Sequence, residues 1–145
     1  MKRLLRLLNL SPDERRLLIV SAFLLAAIRT GMWLLPFESL YRLTARSGLK
    51  TAGLSKADRR SIESVGRAVK IASRYMPATC LTQALTTMVI LKRLGHPALL
   101  RIGVSKGVEG KLRAHAWVES QGSVVIGELA DLSGFSVLPS LERNQ

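Results

Sequence analysis

The sequence predicts an α+β fold in which helices come first and a small antiparallel sheet follows. Apolar residues recur at spacings of three and four as far as Gly95. After Ala98 the apolar pattern becomes that of β-strands separated by glycine-containing turns. With 145 residues and 48% apolar content, the chain is long enough for one packed domain and too short for two ordinary ones. We therefore expect one structural unit.

The first predicted helix has a complete start signal. Ser11, Pro12 and Glu14 supply the N-cap, the first-turn proline and the third-position acid of a capping box, so the helix begins there and continues to about Leu34. Its apolar run, Leu17–Ile28, falls short of the roughly 20 residues that a membrane-spanning helix needs. We expect the helix to pack against the domain or a partner protein, with contact at a membrane surface as the alternative.

Two further helices precede the central one. The first is predicted from about Pro36 to Ala45, and the second starts near Ser55 and ends before Pro77. We divide the chain into an apolar and basic lead-in, 1–54, which packs on the core or a partner, and a core, 55–145. The helix that starts near Ser55 carries a buried stripe, formed by Ile62, Val65, Val69 and Ala72.

A highly apolar helix is predicted next, followed by strands. Thr79 is a suitable N-cap for a helix from Cys80 to about Leu94, which stops at Gly95. Its apolar residues are too many for a surface element, so we expect it to be the central helix. The predicted strands are Ala98–Val104, Arg113–Glu119 and Val124–Ile126, the last two joined by a tight turn at Gln121 and Gly122.

The net charge of +12 is concentrated in the first half of the chain. Residues 1–74 contain 15 Lys and Arg against 5 Asp and Glu, whereas residues 75–145 contain 7 against 5. A basic face attracts acidic peptides, anionic lipid or nucleic acid. We expect no nucleic acid partner, because only 5% of the residues are aromatic and no stacking, zinc-finger or RNP-like pattern occurs.

The residues that bind metals are scarce. One cysteine and two histidines allow no internal disulfide and no cysteine-rich metal site, so we expect no metal and no cofactor. A reducing, cytoplasmic compartment fits this composition. The basic start is separated from the apolar run by SPDERR, and no small-residue cleavage site follows, so we do not expect a secretory signal peptide.

Cys80 and His115 are the residues best suited to nucleophilic chemistry. A cysteine at the first position of a helix benefits from the unpaired amides and the helix dipole, which stabilise the reactive thiolate. The base must lie within hydrogen-bond reach. His96 follows the far end of the same helix, about 20 Å away, as a capping or surface residue. His115 lies on a strand, sharing one face with Trp117 and Glu119, and is the candidate base.

A third group, normally an acid, orients such an imidazole and stabilises its charged form. Glu128 and Asp131 both follow the second strand of the predicted hairpin. We favour Glu128 and keep Asp131 as the alternative. Glu119 is four residues along the strand from His115, about 13 Å away, and we interpret it as a solvent or structural group.

Three segments carry a family resemblance. They read TCLTQALTTMVILKRLGHPALLRIGV, AHAWVE and VIGE, in this order. Together they resemble the leader peptidases of lasso peptide biosynthesis, which are similar to a reduced transglutaminase-like fold. The resemblance covers about residues 76–140, and SPDERRLLIVSAFLLAAIR resembles the helical lead-in of that family.

The resemblance implies a cysteine peptidase with a Cys-His-acid triad, in which Cys80 is the nucleophile and His115 the general base and acid. It also implies three partners: the precursor's leader peptide, a small leader-recognition protein and an ATP-dependent lasso cyclase. The family's usual third residue is Asp, whereas Glu128 stands here. We keep as alternatives an inert transglutaminase-like peptide-binding adaptor, a membrane-associated assembly factor, and an amide hydrolase or acyl transferase with another substrate.

Overall fold

The computed structural model of the chain describes residues 9–46 and 59–139. Helices come first and an antiparallel sheet follows, so the predicted α+β fold is confirmed. The helices are α1 (Pro12–Leu34), α2 (Phe37–Arg46), α3 (Arg59–Ser73) and α4 (Cys80–Arg93). The strands are β1 (Leu99–Lys106), β2 (Leu112–Ser120), β3 (Ser123–Ile126) and β4 (Ser136–Val137), with a 3₁₀ turn at Leu132–Gly134 before β4.

Helix α1 begins with the predicted capping box. The Glu14 amide donates to Ser11 Oγ at 3.2 Å, and the Ser11 amide donates to Glu14 Oε2 at 2.9 Å. Pro12 follows as the first helical residue, where its missing amide hydrogen costs nothing. The two hydrogen bonds satisfy amides that the helix itself leaves unpaired, so they determine where α1 starts.

The sheet has the strand order β3-β2-β1-β4, and its pairs are antiparallel. Gln121 and Gly122 have φ values of 50° and 78°, which gives the tight turn between β2 and β3 that the sequence predicts. Strand β4 was not predicted, since two residues are too few to create a recognisable alternation. It pairs with β1 at Gly103 and Val104.

The core lies between the helices and one face of the sheet, with α4 at its centre. Every residue of α4 from Ala84 to Leu91 is buried, so the prediction of a central helix is confirmed. The predicted stripe of α3 is buried as well. The core also contains Leu25 and Ile28 of α1 and Leu100, Ala116, Val118 and Ile126 of the sheet.

Helix α1 has two contrasting faces. Ser21, Leu25 and Ile28 are buried, whereas Phe23 and Trp33 are 73% and 92% exposed. Helix α1 has 23 residues, and an 18-residue window within it has a mean hydropathy of 1.9, so it is long and apolar enough to cross a membrane. It shares this property with core helices of soluble proteins and with signal sequences.

Part of the predicted organisation lies outside the described residues. This applies to the start of the third helix near Ser55 and to the boundary between 54 and 55, which stays a prediction. Among the described residues, α1 packs against α3 and α4. The lead-in and the core therefore share one hydrophobic core where both are described.

Candidate active site

Cys80 is the first residue of α4 and is half-buried at the edge of the core. Thr79 is the N-cap, as predicted: its backbone is extended, with ψ 165°, and its Oγ accepts from the Thr82 amide at 3.3 Å. The start of α4 therefore lies directly at the cysteine. The helix dipole and the unpaired amides of the first turn create a positive field there.

The first amides of α4 differ in what they can still bind. Those of Thr82 and Gln83 already donate to Thr79. The amides of Cys80 and Leu81 have no hydrogen-bond partner within the described residues. The donors available to a developing oxyanion are therefore the first two amides of the helix.

His115 lies in the middle of the sheet, on β2 and opposite Gly103 of β1. Its Nε2 is 2.7 Å from the carbonyl oxygen of Gly127. The imidazole stacks on Trp117, with ring centroids 6.1 Å apart and planes 19° apart, and is 5.8 Å from the ring of Phe135. The ring is half-buried, and three neighbours define its orientation.

The two faces of β2 have different environments. Ala116 and Val118 belong to the core beneath the helices. Alternation places His115 and Trp117 together on the other face, as predicted, where Phe135 lies against them. The imidazole is therefore outside the core that α4 shares with the sheet.

Along the strand, His115 lies away from the C-terminal end of α4. Ser120 Oγ donates to the Pro97 carbonyl, which fixes the end of β2 beside the end of α4. His115 is five residues earlier, about 17 Å back along a strand. Within the described residues no hydrogen bond joins Cys80 to His115. Their pairing stays a prediction.

The two candidate acids follow β3 and are exposed. In the described part of the chain, neither the Glu128 nor the Asp131 carboxylate has a hydrogen bond to His115. Asp131 Oδ1 instead accepts from Ser133 Oγ at 3.0 Å. The choice of Glu128 with Asp131 as the alternative therefore stays a prediction. Sequence reasoning missed the contact to Gly127, because a backbone carbonyl leaves no side-chain signal.

Glu119 and His96 have structural surroundings. Glu119 accepts from the indole of Trp117 and lies 3.4 Å from Arg101, so its interpretation as a structural group agrees with the geometry. His96 caps the end of α4, one of the two expectations, because its amide donates to the Leu91 carbonyl at 2.9 Å. Its ring is buried rather than on the surface, with Nε2 3.2 Å from Ser61 Oγ on α3. Its burial differs from the expectation because the turn after α4 folds it against α3.

A separate groove of about 350 Å³ lies between α3 and the β2–β3 hairpin. Glu63, Arg67 and Lys70 line its helical side, and neither Cys80 nor His115 reaches it. Among the described residues, no three His, Cys, Asp or Glu side chains come together as a metal site would require.

Comparison with known proteins identifies the family. A family model described as the transglutaminase-like superfamily matches residues 24–140, which include Cys80 and His115. No curated protein and no solved structure matches the chain. The match covers well over half of the chain and includes α4 and the whole sheet. The chain therefore belongs to the transglutaminase-like superfamily.

Proposed function

We propose that this chain is a cysteine peptidase that removes the leader from a lasso peptide precursor. The observation that carries the proposal is the position of Cys80 as the capped first residue of α4 in a transglutaminase-like chain. Members of this superfamily are typically cysteine hydrolases or transferases. The resemblance of the Cys80, His115 and VIGE segments to lasso leader peptidases supports the choice of substrate.

The proposed reaction has two stages. The Cys80 thiolate attacks the carbonyl carbon at the junction of leader and core, and the resulting oxyanion accepts from the Cys80 amide. As the C–N bond breaks, protonated His115 gives its proton to the departing amine, which leaves a thioester. His115 then takes a proton from water as the water attacks the thioester, and the leader departs as a carboxylic acid while the thiolate is restored.

The same proposal assigns partners and a location. A leader-recognition protein would deliver the precursor, and an ATP-dependent cyclase would close the ring after cleavage. No nucleic acid, metal or cofactor takes part. The location is cytoplasmic, where the single cysteine stays reduced.

The exposed face of α1 supports peripheral contact with an anionic membrane. Phe23 and Trp33 project from this face, and Arg16 and Arg29 are exposed on the same helix. Large apolar residues beside cations are typical of helices that lie in the lipid headgroup region. Sedimentation with phosphatidylglycerol vesicles tests this. Replacing Phe23 or Trp33 by Ser should weaken binding about fivefold or more, because each removes apolar area from the lipid contact.

Leu112→Ser is the matched control for the vesicle experiment, since Leu112 is 74% exposed on the sheet rather than on α1. It should bind as the unmodified chain does. Equal binding by all of these proteins would exclude α1 as the lipid contact and direct attention to a protein partner for this face.

An inert peptide-binding adaptor is the second candidate. The observation that favours it is that no hydrogen bond joins Cys80 to His115 within the described residues. Catalytic hydrogen bonds are often long in proteins without substrate, so this observation does not outweigh the position of Cys80. The adaptor would keep its function after Cys80 is alkylated. An amide hydrolase or acyl transferase would need Cys80 but would leave a lasso precursor intact.

Mass spectrometry of a lasso precursor from the same gene neighbourhood tests the proposal. The precursor and its recognition protein are incubated with the unmodified chain, with Cys80→Ala or with His115→Ala, each variant checked for native circular dichroism. Leader release by the unmodified chain alone supports the peptidase. Equal release by Cys80→Ala contradicts the mechanism, and no release by any of them favours the adaptor or another amide substrate.

A further inference from the structure

The hydrogen bond between His115 and Gly127 defines which imidazole nitrogen carries the hydrogen in the neutral ring. A carbonyl oxygen can only accept, so the Nε2 that lies 2.7 Å from the Gly127 oxygen must carry a hydrogen. In the neutral ring, the lone pair is then on Nδ1. Nδ1 has no hydrogen-bond partner within the described residues. The ring therefore presents its basic nitrogen on the side away from Gly127.

The position of the Gly127 carbonyl is held by the backbone. Gly127 has φ 84°, a conformation that residues with a side chain rarely adopt. A Cβ at this position would lie 2.6 Å from the Ala116 carbonyl oxygen and 2.7 Å from Trp117 Cβ. Ile126, the preceding residue, pairs with Val118 and is fully buried. Glycine thus allows β3 to end directly against the part of β2 that carries His115.

The aromatic contacts complete this arrangement. Trp117 and Phe135 contact the imidazole and restrict its tilt, while the Gly127 carbonyl restricts its rotation within the plane. Glu128 and Asp131 are exposed and make no hydrogen bond to the ring in the described part of the chain. The two aromatic rings and the Gly127 carbonyl therefore define the orientation of the imidazole without a carboxylate.

We propose that the backbone carbonyl of Gly127 orients His115, in the role that a side-chain acid has in other Cys-His sites. Gly127 is a positioning residue, because it acts through the imidazole and touches no reacting atom. The catalytic meaning of this role rests on the proposed function. The orientation itself can be measured without any substrate, so the two ideas can fail separately.

Long-range ¹H–¹⁵N NMR of the imidazole nitrogens tests the proposal. In a neutral ring the protonated nitrogen and the nitrogen with the lone pair differ widely in ¹⁵N shift. The spectrum is recorded on the full chain at a pH where the ring is neutral, and His115→Gln identifies the signals of His115 against those of His96. We expect the Nε2–H tautomer. A predominant Nδ1–H tautomer would overturn the proposal, whether or not leader cleavage is ever observed.

Two sets of variants show whether the Gly127 carbonyl or a carboxylate orients His115. Glu128→Gln and Asp131→Asn should leave both His115 nitrogen shifts unchanged, whereas a shift or a change of tautomer in either would identify that carboxylate as the orienting group. Gly127→Ala is unsuitable alone, because its Cβ would collide with backbone. Replacing the peptide bond after Gly127 by an ester weakens the carbonyl as an acceptor and keeps every side chain. We expect this change to increase the Nδ1–H fraction of His115, and an unaltered tautomer would contradict the proposal.

Discussion

The indole nitrogen of Trp117 donates a hydrogen bond to Glu119 Oε1 at 3.0 Å. Trp117 is only 3% exposed and forms the surface on which the His115 ring stacks. The other carboxylate oxygen of Glu119 lies 3.4 Å from Arg101 Nε on β1. Glu119 therefore connects Trp117, on which the His115 ring stacks, to Arg101 of strand β1.

Removing the Glu119 carboxylate should destabilise the fold. In Glu119→Ala the buried indole N–H loses its acceptor, which costs about 1–3 kcal/mol in free energy of unfolding. Glu119→Gln keeps an acceptor oxygen and should cost clearly less. Urea denaturation of the three proteins measures the difference. Equal losses in the two variants would mean that the charge interaction with Arg101, rather than the indole hydrogen bond, is what matters.

Close packing between α3 and the edge of the sheet predicts that a side chain at position 66 destabilises the fold. A Cβ on Gly66 would lie 2.6 Å from the Val125 carbonyl oxygen, a backbone atom that cannot easily move. Gly66→Ala should therefore lower the free energy of unfolding by about 1–3 kcal/mol, although alanine favours helices.

Gly31→Ala is the control for the Gly66 substitution. Its Cβ would meet Leu40 Cδ1 at 2.9 Å, the end of a flexible side chain. Thermal or urea unfolding should place this variant within about 1 kcal/mol of the unmodified chain. A Gly66→Ala protein that is as stable as the Gly31→Ala protein would contradict the proposed contact between α3 and β3.

The capping box of α1 predicts a dependence of stability on pH. The hydrogen bond from the Ser11 amide, and after it that with the Ser11 side chain, holds the pKa of the Glu14 carboxyl below its ordinary value. A carboxylate with a lowered pKa in the folded state contributes stability above its unfolded pKa, and this contribution is lost as the pH falls through the folded value.

Glu14→Gln removes this titration and keeps an acceptor for the Ser11 amide. The difference in free energy of unfolding between the unmodified chain and Glu14→Gln should therefore be largest at neutral pH and shrink as the pH falls below about 4.5. Urea denaturation at a series of pH values measures it. A difference that is constant over this range would exclude the charge of Glu14 as its source.

Local sequence signals predicted most of the fold. The capping residues at Ser11 and Thr79 and the Gln121–Gly122 turn act within a few positions of the chain, so their consequences can be derived from neighbouring residues. Strand β4 has only two residues and depends on its partner β1, so no local pattern indicates it. The burial of His96 likewise depends on a contact with α3, far away in sequence.

The candidate site was predictable in its residue types and not in its contacts. The position of Cys80 at a helix start follows from Thr79 and Pro77, and the shared face of His115 and Trp117 follows from alternation along a strand. The contact of His115 with Gly127 depends on the backbone conformation at the end of β3. A glycine in VIGE was the only signal, and a glycine has many other uses in a chain.

The rate at which Cys80 is alkylated tests the central claim, that Cys80 and His115 act as a pair. Cys80 is the chain's only cysteine, so intact-mass measurement of iodoacetamide labelling reports on it alone. The proposed pair predicts that His115→Ala slows labelling about tenfold or more at a mildly acidic pH, because a paired imidazole would stabilise the thiolate. In urea the two proteins should react at the same rate. Equal rates in the folded proteins would contradict the pairing, and with it the proposed mechanism.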